Sequence, residues 1–185
     1  MQLCKNDLLM NISLIGYMGS GKSTVGKLLA SAIHYSFYDL DALIEKEINS
    51  SIADYFRDKG EIAFRKLEHE LLQHALTLPN TVLSLGGGTP VYYNNMELIN
   101  NSSYSVYLQT TIPTLTQRLV KEKSQRPMLQ HLTDENLAEF IAKHLFERRT
   151  FYEQANFILN TKDRDEKTIT NLLLDHLRHQ KILQQ

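Results

Sequence analysis

Residues Gly16-Tyr17-Met18-Gly19-Ser20-Gly21-Lys22-Ser23 satisfy the spacing G-x-x-x-x-G-K-[ST]. This spacing binds the phosphates of a nucleoside triphosphate. Glycines remove the Cβ atoms that would keep the backbone N–H groups away from the anion, a lysine reaches the β- and γ-phosphates, and a serine hydroxyl can ligate Mg²⁺. The candidate nucleotide contacts are therefore Gly19, Ser20, Gly21, Lys22, Ser23 and Thr24, with Ser23 also a candidate metal ligand.

Other residues along the chain could complete a phosphoryl transfer, which needs a metal to spread charge and a group to position the nucleophile. Asp39 and Asp41 are two apart, and in extended chain such carboxylates face the same side. One could support Mg²⁺ and the other could accept a proton from a hydroxyl, or one of them could simply cap a following helix. Arg65 and Glu68 are three apart in a helical stretch, a spacing that serves either anion binding or an ordinary surface ion pair. Gly86-Gly87-Gly88 costs chain entropy unless the backbone must approach something closely, and a ligand is the expected partner. No aspartate ends the run before these glycines, which leaves Asp39 as the best metal-supporting acid. Arg118, Arg126, Arg148 and Arg149 supply guanidinium groups for phosphate, carboxylate or an adenine face.

These residues need elements to hold them. Strand-like runs fall at Asn11–Ile15, Ser36–Tyr38, Thr81–Leu85, Ser105–Leu108 and Phe157–Leu159. Helical periodicity covers the segment from Lys22 to Ile33, then Asp41–Ile48, Ile52–Asp58, Ile62–Leu76, Met96–Asn100, Ile112–Lys121, Asp134–Phe151 and about Glu166 to His179. Strands alternating with helices predict a parallel sheet in a three-layer α/β domain, whose ligands gather at the carboxyl ends of the strands. The charged, Pro-broken segment around Lys121–Pro127 is the candidate mobile lid, spanning approximately residues 122–133.

Composition narrows the class. The 185 residues suffice for one domain with its own core, and 42% hydrophobic content with a net charge of −1 marks neither a nucleic-acid binder nor a membrane-surface protein. No run suggests a signal peptide or membrane span, which predicts a cytoplasmic protein. Cys4, without a partner cysteine, is expected to be inert. The seven histidines form no defensible metal site.

Taken in order, the phosphate loop running on to Gly26, Phe37-Tyr-Asp-Leu-Asp41, Phe64-Arg-Lys-Leu-Glu68, Gly86–Gly88, Arg126-Pro127, and Arg148 with Tyr152 four residues later resemble shikimate kinase over nearly the whole chain. The resemblance implies a P-loop kinase fold and ATP-dependent phosphorylation of the 3-hydroxyl of shikimate, a step toward chorismate and the aromatic amino acids. It implies a monomer, with ATP and Mg²⁺ as cofactors. By the same resemblance Lys22 and the loop amides hold the phosphates, with Arg126 as a further nucleotide contact, and Ser23 and Asp39 serve the metal; Arg118, in the Ile112–Lys121 helix, is a nucleotide candidate by stacking on adenine or else a solvated surface arginine. Asp41 binds the reacting hydroxyl and acts as its base, Arg65, Gly86, Gly87, Gly88 and Arg148 hold the acceptor, and Glu68 orients Arg65. Arg126 swings in on the lid to meet the transferring phosphate. Thr150 departs from the proline often found after the substrate arginine, and the segment around Asn160–Arg164 departs most.

Two rival classes remain. A gluconate or nucleoside-monophosphate kinase would share the phosphate loop, although the Phe-Arg-x-x-Glu and triple-glycine elements favour shikimate. A nucleotide-dependent regulatory homologue without catalysis would be expected to have lost Asp41, Arg65 or Arg148, and all three are present.

Overall fold

A computed structural model of the chain describes residues 10–123, 129 and 132–183. Cys4, Arg126 and most of the 122–133 stretch lie outside them.

The strands are β1 (Ile12–Ile15), β2 (Ser36–Asp39), β3 (Thr81–Ser84), β4 (Tyr104–Gln109) and β5 (Phe157–Asn160). They pair in the order β2-β3-β1-β4-β5, and each pairing is parallel. Every residue of β1 and β3 is buried, as expected of central strands covered on both faces, whereas β2 at one edge is partly open.

Successive side chains leave the sheet on opposite faces and feed two cores. On one face Leu14, Val82 and Val106 pack with Val25 and Leu29 of α1 (Lys22–Ile33) and with Ile169, Leu173 and Leu177 of α7 (Glu166–His179). On the other, Ile15, Leu83 and Tyr107 pack with α2 (Leu40–Ile48), α3 (Ile52–Leu76) and α4 (Asn95–Ser102). The result is the three-layer α/β fold expected from the sequence. A third cluster joins Tyr17 of the phosphate loop to Leu115 and Leu119 of α5 (Ile112–Glu122), to Leu129, and to Leu137 and Ile141 of α6 (Asp134–Tyr152).

The expected helices Ile52–Asp58 and Ile62–Leu76 form one element with a break at Gly60, where φ 80° and ψ 172° interrupt the helical path. A short 3-10 turn at Thr89–Val91, not foreseen from periodicity, follows the triple glycine and turns the chain toward α4. The phosphate loop leaves β1 at its carboxyl end, Asp39 ends β2, and Gly86–Gly88 follow β3, so the candidate residues gather at one edge of the sheet.

Candidate active site

The phosphate loop delivers α1 to the cleft with an open N-terminus. Gly21 caps α1 at φ 92°, a left-handed conformation that disfavours any residue with a Cβ, and supplies no side-chain cap. By contrast α2, α3, α5, α6 and α7 each begin with a side-chain acceptor, from Asp39, Ser51, Thr111, Thr133 and Asp165 respectively. The first N–H groups of α1 are thus left for an anion, with the positive end of the helix dipole behind them. Lys22 Nζ donates to the carbonyls of Gly16 (2.9 Å) and Tyr17 (3.0 Å), which curls the loop around the lysine. Gly19, Gly21, Lys22, Ser23 and Thr24 all line a cleft of about 440 Å³. Ser20 is placed differently: its side chain is buried and its N–H donates to Tyr17 O at 3.2 Å, so it shapes the loop.

Oxygen ligands for a divalent cation stand beside the lysine. Ser23 Oγ donates to Asp39 Oδ2 at 2.7 Å, and Ser84 Oγ, at the end of β3, lies 3.4 Å from Ser23 Oγ. Asp39 also caps α2 by accepting from Asp41 N at 3.1 Å, so capping and support of the metal pair belong to the same residue. A hydroxyl and a carboxylate in an open cleft suit Mg²⁺, which takes few protein ligands and keeps most of its waters.

Asp41, in the first turn of α2, forms the seam between the phosphate loop and the opposite wall. The residue as a whole is exposed along the cleft, but its carboxyl end packs closely against Gly86, where an added Cβ would lie 2.8 Å from Oδ1. Burial pushes its carboxyl up to about 6, repulsion from Asp39 adds to this, and Lys22 opposes it.

The opposite wall is a lattice of side chains. Arg65 Nη1 donates to Glu68 Oε2 at 2.8 Å, and Glu68 is only 1% exposed, so the surface-pair reading of this spacing does not hold. Glu68 also accepts from Thr89 Oγ1 at 2.6 Å. Asn95 Nδ2 donates to Thr89 O at 2.8 Å, while Asn95 Oδ1 lies 2.5 Å from His69 Nδ1. Arg65 lies over the Tyr92 ring, its Cζ 4.1 Å from the centroid, and pairs on its outer side with Glu61. The Tyr92 hydroxyl donates to Glu61 at 2.7 Å and holds that carboxyl below its usual range.

The triple glycine has, beside the expected ligand, a second reason for its small size within the protein itself. A Cβ on Gly86 would lie 2.8 Å from Asp41 Oδ1, and one on Gly88 would lie 2.8 Å from Arg65 Nη1. The missing side chains make room for the protein's own carboxylate and guanidinium. Gly86 and Gly87 line the cleft of about 440 Å³, whereas Arg65, Gly88 and Arg148 do not.

The two late arginines separate cleanly. A Cβ on Gly87 would lie 3.5 Å from Arg148 Nη1, and Arg148 Cζ is 5.6 Å from the Tyr17 ring centroid. Arg149 instead points away and pairs with Glu153 at 2.6 Å on the exposed side of α6. Tyr152, fully buried, donates to Gly87 O at 2.5 Å and ties the end of α6 to the glycine turn.

The shikimate kinase family profile matches residues 18–178. A shikimate kinase of Flavobacterium johnsoniae is 44% identical over 165 residues, covering 88% of this chain and 96% of its own. The chain belongs to the shikimate kinase family. The crystal structure of shikimate kinase from Bacteroides thetaiotaomicron superposes with a TM-score of 0.87 at 38% identity, covering 91% of this chain and 98% of that one. Shikimate kinase from Acinetobacter baumannii in complex with shikimate gives 0.86 at 30% identity, covering 95% and 96% respectively.

Within this family member, several cleft residues had no sequence signal. Ser84, Glu122 and Glu166 line the cleft without belonging to any motif. Tyr17 hides inside the variable positions of the phosphate loop, yet its hydroxyl meets His144 Nδ1 at 3.0 Å and its ring lies beneath Arg148. Arg118, expected as a nucleotide contact, lines the cleft and donates from Nη1 to Gly19 O at 3.1 Å.

Proposed function

We propose that the cleft transfers the γ-phosphoryl group of ATP to the 3-hydroxyl of shikimate, with Asp41 at the reacting centre. The observation that carries this reading is the position of Asp41. Lys22 is near enough to act on its charge, Asp39 caps the same turn and bonds Ser23, and Asp41 Oδ1 packs against Gly86, next to Glu68, which holds Arg65.

In the proposed reaction the acceptor oxygen bonds to the γ-phosphorus, the bond from that phosphorus to the bridging oxygen breaks, and ADP departs. Asp41 receives the hydroxyl proton, a task suited to a carboxyl pushed up to about 6. Lys22 and the first N–H groups of α1 hold the phosphates and meet the charge that develops on them. Ser23, with Asp39 behind it, would hold Mg²⁺, which would supply charge neutralisation for the phosphates. Arg65 and Arg148 hold the acceptor's carboxylate, with the Gly86–Gly88 backbone against its ring. Glu68 fixes the Arg65 fork, since a planar guanidinium binds a carboxylate through two parallel N–H donors. Arg126 is assigned the transferring phosphate on a lid of approximately residues 122–133. Exclusion of water by such a lid prevents ATP hydrolysis from competing.

The chain is read as a single kinase domain acting as a cytoplasmic monomer. Among the described residues, no helix is long and apolar enough to cross a membrane.

Release of ADP with MgATP and shikimate, measured beside gluconate, nucleoside monophosphates and a no-acceptor control, tests the reading. Turnover with shikimate is expected. Turnover with gluconate or a nucleoside monophosphate in its place would overturn the acceptor assignment.

A further inference from the structure

Beside the phosphate loop, the cleft carries an ion pair between two helices that are distant in sequence. Arg118, on α5, places Nη2 3.3 Å from Oε1 of Glu166, on α7, while its Nη1 donates to Gly19 O at 3.1 Å. Both side chains line the cleft. Gly21 lies directly beneath them: a Cβ there would be 3.5 Å from Arg118 Nη1 and 4.0 Å from Glu166 Oε1.

We propose that Glu166 is a positioning residue for ATP, holding the Arg118 guanidinium as a fixed flat platform for the purine. This rests on the reading above that the cleft binds ATP, whose phosphates occupy the loop at Gly19–Thr24 with the γ-end toward Asp41. The nucleoside must then extend away from the γ-end, and Arg118 and Glu166 stand beside the loop to receive it.

A guanidinium held by one hydrogen bond can rotate about it; held from two directions, its plane is set. The loop carbonyl supplies one anchor and the Glu166 carboxylate the other. Glu166 is itself well fixed. It occupies the first turn of α7, where the helix dipole favours a negative charge, directly after Asp165, which caps the helix by accepting from Thr168 N at 2.7 Å. Apolar packing of Ile169 and Leu173 with Val25 and Leu29 holds α7 against α1, and therefore holds Glu166 in register with the phosphate loop.

A half-exposed ion pair contributes little to the stability of a fold. An arginine already ordered before the ligand arrives, however, spares the cost of immobilising a rotamer-rich side chain on binding, and a guanidinium face stacks on aromatic rings. The advantage of the pair should therefore appear in nucleotide affinity.

The test compares Glu166→Ala, Glu166→Gln, Arg118→Ala and the double variant Arg118→Ala/Glu166→Ala. Each is assayed for KM of ATP, KM of shikimate and kcat, and for inhibition by tripolyphosphate, which carries the phosphates without the nucleoside. Glu166→Ala should raise the KM of ATP about three- to tenfold, with shikimate KM, kcat and tripolyphosphate inhibition within about twofold of the parent. Glu166→Gln, which retains an acceptor oxygen, should recover much of the loss. The double variant should be no worse than Arg118→Ala alone. An unchanged ATP KM in Glu166→Ala, equal weakening of tripolyphosphate, or losses that multiply in the double variant would each overturn the inference. An Arg118→Ala variant with unchanged ATP KM would overturn the placement of the base itself, whereas a raised KM in Arg118→Ala alone would overturn only the role of Glu166.

Discussion

The two walls of the cleft are built by opposite means. The nucleotide wall is largely backbone: a loop curled around Lys22 by two of its own carbonyls, leading into a helix whose first N–H groups have no side-chain cap. The acceptor wall, with Gly86 and Gly87 at its surface, is backed largely by side chains: Arg65, Glu68, Thr89, Asn95 and His69 bond in series, with Tyr152 anchoring the glycine turn from another helix. Phosphate is a common, symmetric anion that contiguous amides can grip, so one short stretch suffices. A substituted ring with a carboxylate needs donors at separate angles, and these must come from several elements. The nucleotide wall should therefore tolerate changes in its neighbours, and the acceptor wall should fail as a network.

Asp41 joins the two walls, and its loss should give the largest effect. Asp41→Asn should lower kcat by about a hundredfold or more, the usual scale for removing a general base, while the affinity for MgATP stays within about threefold, because the loop and Lys22 are untouched. In the parent, kcat/KM for shikimate should fall about tenfold per pH unit below a pH near 6, as the base becomes protonated, and level off above it. The stability effect runs the other way. Because the folded-state value lies above the roughly 3.9 of an unfolded aspartate, the folded chain binds the extra proton between the two. The stabilising contribution of this group is fullest below the unfolded value and is lost as pH rises through about 6. Asp41→Asn should therefore hold or raise Tm at pH 7.5. A variant that melts earlier, or loses its ATP affinity, would show that Asp41 supports the nucleotide wall and would blur the contrast between the two.

Glu68 gives the next effect, and tests whether the acceptor wall behaves as a network. Glu68→Ala leaves Arg65, only 13% exposed on its side chain, without its buried partner and strips Thr89 of an acceptor. Breaking a buried pair on one side costs about 3 kcal/mol. Thermal or denaturant melts should show a loss of that order, and initial rates should show a raised KM for shikimate with the KM of ATP little changed. A parallel rise in both KM values would mean that the two walls are coupled through α3 and the glycine turn.

The same contrast decides what could be read from the sequence. The phosphate loop, Asp39 with Asp41, and Arg65 with Glu68 were legible because each lies within a few residues of chain, where spacing alone fixes a shared face. The alternation of strands and helices gave the parallel sheet for the same local reason. What escaped depends on contacts between distant elements. Ser84 is an unremarkable strand serine until β3 is set beside α1, and Glu166 is a first-turn acid until α7 packs on α1. The importance of Tyr17 lies in its contacts with α6, which carries His144 and Arg148. The triple glycine was located correctly, but the bodies pressing on it, Asp41 and Arg65, come from α2 and α3 and could not be named from a local pattern. For Arg148 against its neighbour Arg149, the spacing to Tyr152 favoured Arg148, and the orientation of α6 separates the two in space.

That orientation yields the smallest expected effect and a sharp control. Arg149 is 68% exposed on its side chain and pairs with Glu153 one turn on, a contact worth about 0.3–0.5 kcal/mol on a helix surface. Its charge lies across α6 from the glycine turn, whereas the Arg148 guanidinium faces Gly87 and the Tyr17 ring. Arg149→Ala should leave the KM for shikimate within about twofold of the parent and shift Tm by no more than a degree or two, in keeping with so weak a pair. Arg148→Ala, measured beside it, should raise that KM at least tenfold, as expected when a charge-assisted, two-point contact with a carboxylate is removed. Equal effects from the two substitutions would mean that helical charge in general, rather than one guanidinium aimed through the glycine turn, draws the acceptor in. The acceptor wall would then be less a network of fixed side chains than a diffuse positive field, and its contrast with the backbone-built nucleotide wall would fail at its most specific point.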